Sequence, residues 1–184
     1  MSEDTENKIL NLLSTKDGYE RGFSLLVKTY QERLYWHIRG MLGQHDDADE
    51  VLQKTFIKVF KGIAGFQRNS KLYTWLYRIA SNESLSFLAK KQKNRLESLD
   101  DNEGSDAHKL SADVYIDNSE TDKLLGEAIA LLPDKQRQVF LLRYYDEMSY
   151  QDISEISGTS VGALKASYHH AAKKIEYYIL NRKA

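Results

Sequence analysis

Apolar residues recur at spacings of three and four through most of this 184-residue chain, and alternating apolar and polar positions are nearly absent. That period belongs to amphipathic helices. Phe23, Leu26, Val27, Tyr30, Leu34 and Ile38 predict a first long helix, preceded by a short helical turn near Ile9 to Leu13. The stretch from Gly43 to Asp47 interrupts it, with Asp46 or Asp47 placed to cap the next helix. Val51, Leu52, Thr55, Phe56, Val59, Phe60 and Ile63 form the stripe of a second helix, and Gly62 and Gly65 bracket its end. Leu72, Trp75, Leu76, Ile79, Ala80 and Phe87 mark a third. On this stripe Trp75 reads as core, whereas Tyr73 and Tyr77 fall off it and read as exposed contacts. From Asn94 to Thr121 the period fades. It returns with Leu124, Leu125, Ala128, Ile129 and Leu132, and continues after Pro133 with Val139, Phe140, Leu142 and Tyr145. A proline suits the first turn of a helix.

The expected architecture is all-α: two small helical domains, residues 1–93 and 122–184, joined by a flexible acidic linker over 94–121. Charge sharpens this division. Residues 51–93 hold 9 Lys/Arg against 1 Asp/Glu, residues 94–121 hold 2 against 8, and the whole chain nets only −1. Glu97 to Asp106 is acidic, small and poor in large apolar residues, which is linker composition. There is no cysteine, so disulfides and thiolate metal sites are excluded. The acidic start, Met1 to Asp4, lacks the order of a secretory signal. The longest apolar run, Ala128 to Leu132, falls far short of the roughly 20 residues that cross a bilayer. A soluble cytoplasmic protein without membrane insertion is expected.

Near the C-terminus, Ser149 precedes Tyr150-Gln151-Asp152-Ile153-Ser154-Glu155-Ile156 with the spacing of a capping box. Gly158 is free to take the left-handed conformation a tight turn needs. Ser160 then caps a longer helix with Val161, Leu164, Tyr168, Ala171 and Ile175 inward, and Lys165, Ala166, His169, His170 and Lys173 on the opposite face. This is the layout of a helix-turn-helix, whose second helix reads the major groove. A plain helical hairpin with a solvated polar face is the competing reading.

The basic block carries interleaved aromatics: Phe66, Arg68, Asn69, Ser70, Lys71, Tyr73, Trp75, Tyr77, Arg78 and Asn82. A loop with amide, hydroxyl and guanidinium groups suits an unstacked base, and a base on an aromatic face recovers about 1–3 kcal/mol. Lys71, Arg78, Lys90, Lys91 and Lys93 are placed to follow phosphates. One surface for opened strand and another for intact duplex imply DNA that is part melted and part paired.

In this order the motifs resemble those of the extracytoplasmic-function (ECF) group of the bacterial sigma-70 family. Asp47 to Phe60 is similar to its region 2.2, and Phe66 to Asn82, around Thr74-Trp75-Leu76-Tyr77-Arg78-Ile79-Ala80, to regions 2.3 and 2.4. Leu131 to Tyr144 is similar to region 4.1, and Ser149 to Lys165 to region 4.2. The resemblance implies that Asp49, Glu50, Gln53 and Lys54 dock on the clamp helices of the polymerase β′ subunit. It implies that Phe66 and the loop Arg68 to Lys71 accept a flipped base of the −10 element, with Tyr73, Tyr77, Arg78 and Asn82 alongside. Ser160, Lys165, Ala166, His169, His170 and Lys173 would meet the −35 duplex. Implied partners are RNA polymerase core (β′ clamp helices and β subunit) and promoter DNA, with room for an anti-sigma factor. The chain departs from the family where a second basic residue often follows the position of Lys165: it has Ala166-Ser167-Tyr168, and His170 where arginine is frequent. Its −35 preference is therefore its own.

Two other classes compete. A one-component helix-turn-helix regulator needs a dimer interface or effector pocket in residues 1–93, and the strong basic block there argues against it. An enzyme finds little support. The cluster His45-Asp46-Asp47-Ala48-Asp49-Glu50 lacks the spacing of a calcium loop, and neither a His-Glu-x-x-His nor a Gly-rich phosphate motif occurs. Adjacent His169 and His170 point about 100° apart on a helix and chelate poorly. An acidic helix start that complements the macrodipole explains the cluster. No catalytic residue, metal or cofactor is expected.

Overall fold

The computed structural model describes residues 3–99 and 120–182; most of the expected linker, residues 100–119, lies outside them. Eight α-helices and one 3₁₀ turn make up the regular structure of the described residues, which contain no strand. They are α1 (Glu3–Leu13), α2 (Tyr19–Leu42), α3 (His45–Gly62), the turn Ile63–Gly65, α4 (Leu72–Leu99), α5 (Glu120–Ala130), α6 (Asp134–Tyr144), α7 (Tyr150–Ser157) and α8 (Val161–Arg182). No described helix is long and apolar enough to cross a membrane.

The helix ends follow local chemistry. Gly43 ends α2 at φ 81°, with its N–H donating to the Arg39 carbonyl. Ser149 caps α7, accepting from the Asp152 N–H while its hydroxyl, rather than its backbone N–H, donates to the Asp152 carboxylate. Gly158 closes α7 at φ 67°, and the Ser160 hydroxyl accepts from the Ala163 N–H at the start of α8. The expected cap of α3 differs. Its N-cap is Gln44, without a side-chain bond, and Asp46 and Asp47 lie inside the first turn, where they act through the helix dipole instead.

Helices α1 to α4 form the first bundle. Leu26, Tyr30, Leu34 and Ile38 of α2 are fully buried, as are Ile9 of α1, Val59 of α3 and Leu76 of α4. Burying such side chains stabilises the fold by about 1.5–3 kcal/mol each. Helices α5 to α8 form the second bundle around Leu141, Leu142, Ile153 and Leu164. The two bundles pack directly on each other, α2 against α6 and α4 against α7, and their buried apolar residues form one continuous cluster.

That second partner changes the reading of α4. Leu72, Thr74, Leu76, Tyr77, Ala80, Ser81 and Ser84 are all buried, so its first half is enclosed around most of its circumference. Tyr77, expected to be exposed, is only 3% exposed. Periodicity marked the face turned to α2 and α3; the opposite face is covered by α7. Trp75 is half-buried, packed against the core and against Phe66.

Candidate nucleic-acid and protein interfaces

On α3, a first turn of Asp46 and Asp47 and a stripe of Val51, Thr55 and Val59 place Asp49, Glu50, Gln53 and Lys54 outward together, all exposed. Lys54 pairs with Glu50 one turn away, and this ion pair holds the Glu50 carboxyl below its ordinary range. Beside them runs an apolar groove of about 670 Å³ between α2 and α3, lined by Phe23, Val27, Leu52, Phe56, Ile57 and Phe60. Ile57 and Phe60 stay about half exposed. Phe60 is held by edge contacts from Tyr19 and Phe23, with centroids 5.7 and 5.0 Å away. Solvent-facing aromatics beside ordered charge suit a helical protein partner.

The loop between α3 and α4 holds the expected −10 residues. Phe66 is half-buried against the core and leans on Trp75 with ring centroids 5.2 Å apart. Arg68 takes a left-handed backbone, φ 56°, a strained conformation for a non-glycine residue. Arg68, Asn69 and Lys71 are exposed, and Ser70 is half-buried. The Asn69 amide donates to Gln67 at 3.3 Å. The Lys71 ammonium lies 5.5 Å from the centre of the Tyr73 ring and 3.4 Å from its hydroxyl. That hydroxyl first, and then the Asp152 carboxylate, raise the Lys71 pKa. Asn82 is exposed one face further along α4; Arg78 is half-buried with its Nε shielded from solvent.

Carboxylates of the second bundle reach this loop and the helices α2 and α4 beside it. Tyr77 donates to Asp146 Oδ1 at 2.7 Å, and His37 Nδ1 lies 3.1 Å from Asp146 Oδ2. Lys71 sits 3.4 Å from Asp152. Burial alone would raise the Asp152 carboxyl, but hydrogen bonds from Ser149 and Tyr73 and the charge of Lys71 hold it below its usual value. Glu6 of α1 adds another carboxylate, accepting from the Tyr30 hydroxyl at 3.0 Å and the Tyr73 N–H at 3.2 Å. Sequence reading missed His37, Asp146 and Glu6. No local signal marks them, since each acts on residues of a distant segment.

On α8, Ser160, Lys165, Ala166, His169, His170 and Lys173 are all exposed, while Leu164, Ala171 and Ile175 are buried. The helix is backed by an aromatic stack: Tyr168 on Phe140 at 5.7 Å, and Phe140 on Tyr144 at 5.1 Å. Tyr150 lies between Arg143, 5.1 Å from its ring, and Lys165, 5.9 Å away, so it steadies the lysine head at the start of the reading face. A groove of about 580 Å³ between α5 and α8 is lined by Ala128, Leu131, Leu132, Tyr177 and Tyr178, and shares His170 and Lys173 with the exposed face of α8.

Among the described residues, no group of three or more acidic, His or Cys side chains is placed to hold a metal ion.

Comparison with known proteins matches both bundles. Residues 26–94 match the family described as Sigma-70 region 2, and residues 122–175 the family described as Sigma-70, region 4. The chain is 30% identical over 170 residues to the ECF RNA polymerase sigma factor SigW of Bacillus subtilis, covering 87% of this chain and 90% of that one. It is 30% identical over 172 residues to the ECF RNA polymerase sigma-E factor of Haemophilus influenzae, covering 88% and 89%. Among solved structures, the sigma factor RpoE of Bartonella quintana, in complex with the anti-sigma factor NepR, aligns with TM-score 0.69 at 22% identity, over 85% of this chain and 96% of that one. CnrH, in complex with the cytosolic domain of CnrY, aligns with TM-score 0.70 at 20% identity, over 98% and 100%. At these identities the two structures establish the shared fold.

Proposed function

From a chain that belongs to the ECF group of the sigma-70 family, we infer a promoter-specificity subunit of bacterial RNA polymerase. It binds the polymerase core and directs promoter recognition and transcription initiation. The observation that carries this is the ordered presence of both family regions on one chain. Residues 1–93 serve polymerase binding and the −10 element, residues 122–184 the −35 element, and 94–121 connect them. The protein works in the cytoplasm, and it makes or breaks no bond itself: it lends sequence choice and strand opening to the polymerase.

Roles follow from chemistry. Asp49, Glu50, Gln53 and Lys54, with the apolar groove beside them, receive the β′ clamp helices. The α5–α8 groove offers a second apolar contact, toward the β subunit. Phe66 stacks on an extruded base, and Arg68, Asn69, Ser70 and Lys71 hydrogen-bond its edge and phosphates. Tyr73 and Arg78 extend that contact along α4, together with Asn82. The exposed face of α8 enters the major groove at the −35 element. An anti-sigma factor is a further partner class, as in the complex that holds the aligned sigma factor RpoE.

Run-off transcription with purified core polymerase tests the assignment. Addition of the chain should produce discrete start sites absent with core alone; no start-site choice overturns it. In the same reactions Phe66→Ala should cut permanganate reactivity at the −10 region about tenfold, the loss of one stacked base, while leaving closed-complex binding nearly intact. Equal reactivity removes Phe66 from the melting role. Lys165→Ala should lower initiation at −35-dependent promoters and reduce the salt slope of binding by about 0.9, the signature of one lost phosphate contact. An unchanged footprint and slope would mean that another residue leads the reading face.

A further inference from the structure

We propose that Glu6 is a positioning residue for −10 recognition: from α1 it caps the N-terminus of α4 and so sets where Lys71 and Tyr73 stand beside Phe66. The role rests on the functional reading above, and Glu6 lies outside residues 26–94, which match the region 2 family.

The position just before α4 is held by a residue that cannot cap it. The first four N–H groups of a helix have no partner within it, and a Ser, Thr, Asp or Asn at the cap ordinarily accepts from one of them. Ser149 does this locally for α7. Before α4 stands Lys71, whose side chain only donates and turns to the Tyr73 hydroxyl and Asp152. The Tyr73 N–H donates instead to Glu6 Oε1 at 3.2 Å, across 67 residues. A carboxylate there also complements the positive end of the helix dipole.

The same oxygen is held from behind. It accepts from the Tyr30 hydroxyl at 3.0 Å, and Tyr30, on α2, is fully buried. Burial first, and then the Glu6 carboxylate, push the Tyr30 pKa up, so its hydroxyl stays a donor. Helix α1 is seated closely on α2. Ile9 is fully buried, and a Cβ added to Gly22 would lie 2.9 Å from both Leu12 Cβ and the Leu13 backbone nitrogen. Glu6 is therefore carried on a platform whose place the core sets, within the same bundle as α4.

The first turn of α4 is one of two anchors of the −10 loop. In front, the Phe66 N–H donates to the Ile63 carbonyl at 3.1 Å. Behind, the Trp75 N–H donates to the Lys71 carbonyl at 3.2 Å, and Trp75 is the ring on which Phe66 leans. Fraying of this turn would move Lys71, Tyr73 and Trp75 together, and with them the support of Phe66. Glu6 and Asn7 line the same cavity as Phe66, Arg68, Lys71 and Tyr73, while Arg68, Asn69 and Lys71 stay exposed to a strand.

Holoenzyme assembled from core and the full-length chain tests this with two probes from a promoter that the wild type transcribes. One is the single-stranded non-template −10 strand, the other a duplex carrying the −35 element. Glu6→Ala should weaken single-strand binding by about tenfold, the equivalent of one lost helix cap, and slow open-complex formation at saturating enzyme to a similar degree. Affinity for core and for the −35 duplex should stay at wild-type values. A general loosening of the bundle would lower core affinity in parallel, since Asp49, Glu50, Gln53 and Lys54 lie on it. Glu6→Gln, whose amide oxygen can accept both bonds, should restore most of the single-strand binding. Tyr30→Phe removes one donor to Glu6 and leaves the ring in the core. It should show the same split at about threefold, the scale of one hydrogen bond, and serves if the alanine variant loses helical signal. Single-strand binding equal to wild type, a parallel loss of core affinity, or a glutamine variant as weak as the alanine one overturns the assignment. Run-off transcription separates the failures: if wild type confers no start site, the functional reading falls; if it does while the variants bind the −10 strand as wild type does, only the role of Glu6 falls.

Discussion

Replacing Arg137 by methionine should cost about 3–5 kcal/mol of stability, because it leaves several buried carbonyl acceptors unsatisfied at about 1–3 kcal/mol each, and lower the melting temperature by roughly 10 °C. Arg137, on α6, is 5% exposed and ties together the ends of α2 and α5. Its Nη1 donates to the Met41 carbonyl at 2.8 Å, Nη2 to Ala130 at 2.7 Å and Leu132 at 3.0 Å, and Nε to Ile129 at 3.3 Å. These carbonyls close α2 and α5, and the last carbonyls of a helix have no partner within it. Burial pushes the Arg137 pKa down and Asp134, 3.7 Å away, pulls it up, yet the group stays charged because arginine is so basic. Methionine fills similar space but satisfies none of the four acceptors. Lysine fares little better, since a point-like ammonium on a flexible stem does not reproduce the planar fork. Thermal melting followed by far-ultraviolet circular dichroism checks this. A loss below about 1 kcal/mol, an ordinary surface change, would mean that water satisfies those helix ends equally well.

Glu50→Lys should weaken binding to core polymerase by about thirtyfold or more, the scale for a reversed charge within a docking surface, and leave the melting temperature where it is. Glu50 is exposed and its intramolecular contact is the turn-to-turn pair with Lys54, so the fold does not depend on it. Reversal leaves two cations adjacent on α3, beside a groove whose apolar wall is unchanged. Affinity measured by fluorescence anisotropy with labelled chain, alongside melting curves, separates docking from folding. Unchanged affinity would move the docking surface elsewhere on the first bundle; a lower melting temperature would make Glu50 structural.

Much of the candidate interface was legible before any coordinates. The exposed face of α8 follows from the spacing of Leu164, Ala171 and Ile175, because side chains seven and four apart return to one face of a helix. The cap at Ser149 and the turn at Gly158 depend only on neighbours within three residues. Tyr77 shows where such reading stops. It lies off the apolar stripe of α4, and the hydroxyl that suggested solvent instead meets a carboxylate 69 residues along the chain.

The sequence by itself determined the all-α class, the order of the two family regions, and which faces of α3 and α8 point outward. Each of these rests on interactions between residues a few positions apart, which periodicity and composition record. Only the tertiary structure decided that the two bundles close on each other, that Arg137 joins their helix ends, and that Asp146 meets His37 across a separation of 109 residues. A helical stripe states that a face is buried but not against what. That choice is made by the packing of two finished surfaces, and no pattern within either segment encodes it.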